Sequence, residues 1–482
     1  MDEGKNSSNV ISGALTWKLL ERLGVQGVQF VIQVLMARIL SPEHYGVLAM
    51  MLIFVNLANV FIQTGFSTAL IQNKDVTEED YSSVFCLSTL VAVAAYVLIF
   101  AAAPLIGRFY KMPELVAPLR VIALVLFPGA LNTVQLAKVS RELNFRVVFT
   151  SNILAIVISG VVGLLIACNG GGLWALVAQV LLNVTVASVT MLFTVPWRPD
   201  LICNFQRVRM LFSFGWKLLA SGLLDTLYHD LSSLIIGRKY SSGTLGYYNR
   251  GRQFPQFLIN AVNGTVQSVM LPVMSAKQDD RQCLKEIARN SVTISSYILF
   301  PVMAGLAAVA PPVVSLLLTD KWLPSVPYLR IFCFSLAFYP VHSCNLQVIN
   351  AMGRSDVFLK LAVIKRSMGC ILLFGAVVLF DSPVALALTS VAATLVNCFV
   401  NAYPNKKLIG YSYREQMQDV LPSGLAAMGM LAGVLLVGRL PLPDVVRLTV
   451  QVLSGVGLYL LISVIFRLSP FVMLLKICGK TR

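Results

Sequence analysis

The chain has 482 residues, 57% of them hydrophobic and 12% charged, with a mean hydropathy of +0.77. Soluble domains carry about 45–50% apolar and about 25% charged residues, so this composition excludes a soluble globular protein. Lysine and arginine outnumber aspartate and glutamate by 38 to 22, a net charge of +16. The cations sit at the edges of apolar runs rather than in one patch interleaved with aromatics, so no nucleic-acid partner is implied.

About 20 apolar residues are needed to cross the hydrocarbon of a bilayer. Fourteen such runs follow one another, near 13–40, 45–72, 83–107, 116–138, 149–168, 173–195, 212–238, 251–275, 291–318, 327–352, 357–380, 383–408, 418–438 and 445–467. Met1 to Asn9 are polar and the first apolar run is a full span, so no cleavable signal peptide is read. The expected fold is an all-α, multi-pass membrane protein of about fourteen helices.

The chain repeats itself. Trp17-Lys18-Leu19-Leu20 returns as Trp216-Lys217-Leu218-Leu219, and Arg38, Gly46 and Gly65 pair with Arg238, Gly246 and Gly264. Leu119-Arg120-Val121 likewise matches Leu329-Arg330-Ile331, each with a proline downstream, Pro128 and Pro340. The first six spans and the next six form the two copies. Because six is even, both enter the membrane from the same side, as a parallel repeat does. The expected organisation is an N-terminal lobe over 1–200, a C-terminal lobe over 201–410, and an added helix pair with a tail over 411–482.

Lysine and arginine favour cytoplasmic loops. With the N-terminus inside, inner segments hold about 21 of the 38 basic residues and outer segments about 10, which puts both termini in the cytoplasm. Arg238, Lys239, Arg250 and Arg252 are the exceptions, falling outside. The five tryptophans, at 17, 174, 197, 216 and 322, sit at span ends, as an interfacial belt requires.

The longest connection runs about 16 residues, from Pro196 to Leu211, too short for a catalytic module. There is no Walker lysine loop and no His-Glu-x-x-His, and His44, His229 and His342 are the only histidines. The nine cysteines are scattered without a Cys-x-x-Cys pair and read as small apolar fillers. Asn169-Gly170-Gly171-Gly172 joins two apolar spans and reads as a tight turn rather than a phosphate cradle. The chain is therefore expected to be no enzyme and to need neither cofactor nor metal.

Charges inside spans are costly and mark function or pairing. Asp225, His229 and Asp230 lie near the middle of the seventh span, either as an ion pair pinning helices or as a site for a coupling proton or sodium ion. Lys18 and Arg22, with Lys217 repeating Lys18, either snorkel to the inner surface or line an inward mouth that attracts an anion. Lys365 and Arg366 are deeper, about eight residues into the eleventh span, and are the strongest candidates for contact with an anionic head group. Arg120 and Arg330 are read as matched anchors or gate residues, and Pro128 and Pro340 as kinks able to serve as hinges.

Leu40-Ser41-Pro42-Glu43-His44-Tyr45-Gly46-Val47-Leu48 and Thr64-Gly65-Phe66-Ser67-Thr68-Ala69-Leu70-Ile71-Gln72 resemble the opening signature of the bacterial polysaccharide transporter family. The resemblance continues through Leu245-Gly246-Tyr247-Tyr248-Asn249-Arg250, Leu271-Pro272-Val273-Met274-Ser275, Lys321-Trp322 and Asn350-Ala351-Met352-Gly353-Arg354. It is nearest in flavour to the colanic-acid exporter branch of the lipid-linked oligosaccharide flippases. It implies the two-lobed V of multidrug-and-toxin extruders and lipid II flippases, in the bacterial inner membrane.

The cargo implied is an undecaprenyl-diphosphate-linked sugar repeat unit, moved by alternating access of two lobes around a basic cavity with a proton or sodium ion coupled. The implied partners are membrane lipids, a polysaccharide polymerase and a chain-length regulator, with the transporter itself a monomer. The alternative is a cation-coupled multidrug antiporter of the same superfamily, which would favour an acidic or aromatic cavity.

Overall fold

The computed structural model describes residues 24–63, 70, 77–142, 144–198, 205–275, 277–278 and 280–480. Apart from short turns these are helical, and no strand occurs among them. In chain order the helices are α1 Gln26–Ile39, α2 Pro42–Gln63, α3 Glu78–Tyr110, α4 Val116–Ile122, α5 Leu126–Arg141, α6 Phe145–Cys168, α7 Leu173–Thr194, α8 Phe205–Lys239 and α9 Ser242–Ser275. They continue with α10 Arg281–Ala308, α11 Ala310–Leu318, α12 Val326–Ala337, α13 Tyr339–Ala351, α14 Ser355–Leu379, α15 Pro383–Leu408, α16 Tyr413–Val437, α17 Asp444–Ile465 and α18 Ser469–Lys480.

Ten helical segments among the described residues are long and apolar enough to cross a membrane. The other four expected spans have physical reasons to fall outside that set. The first is described only from residue 24, and α8 and α9 carry internal charges such as Asp225, Asp230, Arg250 and Arg252. The tenth is split at Phe338 into α12 and α13, each shorter than a span.

The chain forms two compact units, Met1–Gly246 and Tyr247–Arg482. In the first, α6 packs on α1 and α7 through a stripe of small residues, with Ser151, Ala155, Ser159, Gly160, Gly163 and Ala167 buried along one face. Small side chains let helix backbones approach closely where lipid gives no hydrophobic drive to associate. A Cβ on Gly160 would stand 2.3 Å from Ile32 Cδ1, so the groove fits no larger residue without Ile32 moving. The helix α8, which the sequence repeat assigns to the second half, packs here on α2 and α3.

The start of α3 is fixed by a capping box between Thr77 and Asp80, the Thr77 backbone N–H donating to the Asp80 carboxylate at 2.9 Å. The turn between α6 and α7 is a tight one, with Gly170 at φ 79° and Gly172 at φ 51°. Both lie in the left-handed region where glycine is favoured.

In the second unit the final pair, α16 and α17, docks on α10. Tyr297 donates its hydroxyl to Ser463 at 2.9 Å, and Tyr459 donates to the Tyr297 carbonyl at 2.8 Å. The added helices are thus bound by buried polar contacts as well as by packing.

Three expectations need correction. Trp197 and Trp322 are 4% and 0% exposed, packed inside the protein rather than at a lipid interface, whereas Trp174 and Trp216 are exposed. Cys86 is disulfide-bonded, so the reading of every cysteine as an apolar filler does not extend to it. Three of the four cations that broke the charge bias lie over aromatic faces: Arg238 lies 5.3 Å from the Phe109 ring, Lys239 5.7 Å from Tyr240, and Arg250 5.2 Å from Trp322. Arg250 is only 5% exposed, so it is an interior structural charge and not a loop charge.

Candidate functional site

The turn joining α1 to α2 meets the turn joining α8 to α9, all within the first unit. A Cβ built on Gly46 would stand 1.7 Å from the Ser242 carbonyl oxygen, and one on Gly246 would stand 2.1 Å from the Pro42 carbonyl oxygen. The two contacts exchange under a shift of 200 residues (242 − 42 and 246 − 46), so the repeat read in the sequence has become a reciprocal backbone crossing. Gly243 adds a close approach to the Glu43 carboxylate, 3.2 Å from its Cβ position.

Along α8 the three polar residues do not share one environment. Asp225 and His229 are one turn apart on an exposed side. Asp230 turns about 100° further and is half-buried, accepting a long hydrogen bond from Asn56 Nδ2 on α2 at 3.5 Å. Its charge also acts on the Tyr110 hydroxyl at the end of α3. The His229 ring stands edge-on to Tyr228 with centroids 6.1 Å apart. A carboxylate that accepts from an amide is chemistry able to hold a proton or a small cation.

Lys365 and Arg366 are half-buried on α14, past the charged residues Asp356 and Lys360 of its first turns, with exposed Val363, Ile364 and Met368 around them. The Lys365 charge acts on the His342 imidazole of α13, which packs against Tyr339 at 4.6 Å. The His342 carbonyl accepts from Asn401 of α15 at 3.3 Å. Lys18 and Arg22 lie outside the described residues, and the side chain of Lys217 does as well.

The paired arginines serve one local purpose. Arg120 donates to the Phe100 carbonyl at 3.3 Å and lies 4.0 Å over the Phe100 ring, while Arg330 donates to the Ala307 carbonyl at 3.1 Å. Each ties its own helix to the end of the preceding span. The breaks that follow also match: Ala123–Val125 tightens to a 3₁₀ turn before Pro128 in α5, and the helix divides at Phe338 just before Pro340 in α13. A proline removes a backbone donor and crowds the preceding turn, so the interruption falls ahead of it.

Two features escaped the sequence reading. Lys285 Nζ meets Glu415 at 2.7 Å, and Arg289 grips Asp419 with two hydrogen bonds of 2.7 and 2.8 Å. Both pairs are 130 residues apart and both rise by four along their helices, so α10 and α16 run parallel in matched register. The equal spacing of 285 and 289 against 415 and 419 was the available signal. The second feature is a buried amide cluster: Asn345 donates to Gln416 at 2.9 Å, Asn405 donates to the Asn345 carbonyl at 3.0 Å, and Tyr411 donates its hydroxyl to Asp419 at 2.8 Å. Amides carry no charge and stood out in no apolar run.

The chain resembles curated proteins over nearly its whole length. It is 24% identical to the teichuronic acid biosynthesis protein TuaB of Bacillus subtilis (strain 168), over 95% of this chain and 96% of that one. It is also 24% identical to the succinoglycan biosynthesis transport protein ExoT of Rhizobium meliloti (strain 1021), covering 86% and 82% of the two chains. The lipopolysaccharide biosynthesis protein WzxC of Escherichia coli (strain K12) is 24% identical, with 84% and 82% covered.

Among solved structures the fold matches the lipid II flippase MurJ in an inward closed conformation, with a TM-score of 0.76 at 15% identity over 94% of this chain and 98% of that one. It also matches an inward-facing multidrug resistance MATE family transporter of the MOP superfamily, with a TM-score of 0.63 at 16% identity over 82% and 99%. The family model described as polysaccharide biosynthesis protein matches residues 35–327, and the chain belongs to that family.

Proposed function

We propose that this protein is a flippase that carries a lipid-diphosphate-linked oligosaccharide repeat unit across the bacterial inner membrane, for export as surface polysaccharide. The observation that carries the reading is the agreement of two independent likenesses: relatives named for polysaccharide biosynthesis and transport, and a backbone shared with a lipid II flippase over 94% of the chain. A sugar diphosphate cannot pass about 30 Å of hydrocarbon alone, whereas its polyprenyl tail is at home there.

In this reading the head group passes along cations within the spans while the tail stays in lipid. Lys365 and Arg366, with Lys18, Arg22 and Lys217, would lower the cost of the phosphates. Binding both faces equally would drive nothing, so direction needs a gradient or removal of product. One charge falling through 100 mV supplies about 2.3 kcal/mol, and this reading assigns its use to Asp225, His229 and Asp230. Alternating access of the two sequence repeats, with both termini in the cytoplasm, completes the proposal. A multidrug antiporter is the second reading, favoured by the MATE likeness.

The test is made in cells. A deletion strain should accumulate lipid-linked repeat units accessible only from the cytoplasm and lose surface polysaccharide, with plasmid-borne protein restoring both. A deletion strain with normal surface polysaccharide but raised sensitivity to cationic dyes would replace the flippase with the antiporter.

A further inference from the structure

At one end of the second unit, the first turns of α10 and the last turn of α15 enclose an open cavity of about 640 Å³. Five cations face it, Arg281, Lys285 and Arg289 from α10 and Lys406 and Lys407 from α15, with Glu286 the acid among its walls. Lys285 and Arg289 are neutralised from behind by Glu415 and Asp419 of α16. Counting those two carboxylates and Glu286 against five cations leaves an excess of two positive charges. Arg281, Lys406 and Lys407 carry that excess and are all exposed to the cavity.

The arrangement is unusual for the start of a helix. The N-terminal end of a helix is already positive, which favours acidic residues in the first turn. The equivalent helix of the first repeat, α3, follows that rule with Glu78, Glu79 and Asp80. By contrast α10 opens with Arg281, Lys285 and Arg289 on one face, its free amides already capped by Asp280, which accepts from Gln282 and Cys283 at 3.0 Å. The cavity also lies where both helices pass from apolar to charged sequence, α10 before Val292 and α15 after Pro404. Basic pockets between helices at that level take phosphate-bearing head groups.

We propose that this cavity is a phosphate-binding site, in which Arg281, Lys406 and Lys407 hold the phosphate and the ion-paired Lys285 and Arg289 form a fixed polar wall. The ligand class is a phosphate ester or diester, carried by a membrane lipid or free in solution. The site is separate from Lys365 and Arg366 and does not depend on the direction or identity of the transported cargo.

The experiment uses the full chain in nanodiscs of phosphatidylcholine, titrated with inorganic phosphate or with short-chain phosphatidylglycerol, and read by native mass spectrometry. Wild-type protein should retain phosphatidylglycerol, and the triple variant R281Q/K406Q/K407Q should bind about a hundredfold more weakly. Glu286→Gln should strengthen binding. Displacement of the lipid by inorganic phosphate assigns a site open to soluble phosphate, and retention against it assigns a lipid head-group site; both support the proposal. Unaltered binding by the folded triple variant overturns it.

Discussion

Gly46 and Ser242 approach so closely that a single added methyl on Gly46 would stand 1.7 Å from the Ser242 carbonyl oxygen. No side-chain rotation relieves that clash, because the obstacle is backbone, so the helices themselves must part. Gly46→Ala should cost about 1–3 kcal/mol as overpacking. It should also raise the labelling rate of a Ser242→Cys reporter by a membrane-impermeant maleimide. Equal labelling in both backgrounds would mean that the crossing is already open.

The polar residues of α8 should separate by role. Asp225→Asn should weaken the dependence of transport on the proton or sodium gradient while leaving the fold intact. Asp230→Asn should instead lower thermal stability slightly, because Asp230 accepts from Asn56. Transport measured with and without an ionophore decides this, and an unchanged gradient response in Asp225→Asn would assign that residue to structure.

Replacing Lys365 and Arg366 together by Gln should abolish export of surface polysaccharide without loss of folded protein, since both lie half-buried among apolar neighbours. Export at the wild-type level, with normal protein abundance on blots, would remove them from the path.

The parallel register of α10 and α16 makes a quantitative prediction. A double-mutant cycle between Arg289→Gln and Asp419→Asn should give a coupling of about 1–3 kcal/mol for a two-bonded charged pair. The lower end is expected, because the Arg289 side chain is 43% exposed. Thermal unfolding in detergent measures it, and strict additivity of the two single variants would show that the pair is idle.

Much of the fold was legible because apolar runs of span length are a direct consequence of the thickness of the bilayer. The matched breaks before Pro128 and Pro340 followed from proline chemistry, and the Gly46 and Gly246 match carried the reciprocal crossing. What stayed hidden depended on which face a residue presents. Trp197 and Trp322 look interfacial by position but point inward, and Asp230 parts from Asp225 because one residue is about 100° of helix. Contacts between residues 130 apart, such as Lys285 with Glu415, needed the packing of α16 on α10 before they could be seen.

The most direct test is translocation by purified protein in sealed vesicles loaded with a fluorescent, polyprenyl-diphosphate-linked repeat unit. Protection of the head group from a membrane-impermeant quencher reports its leaflet. The flippase account predicts exchange between leaflets many times faster than in protein-free vesicles, and abolished by the K365Q/R366Q change. Exchange no faster than in empty vesicles, under an imposed proton or sodium gradient of either sign, would contradict it.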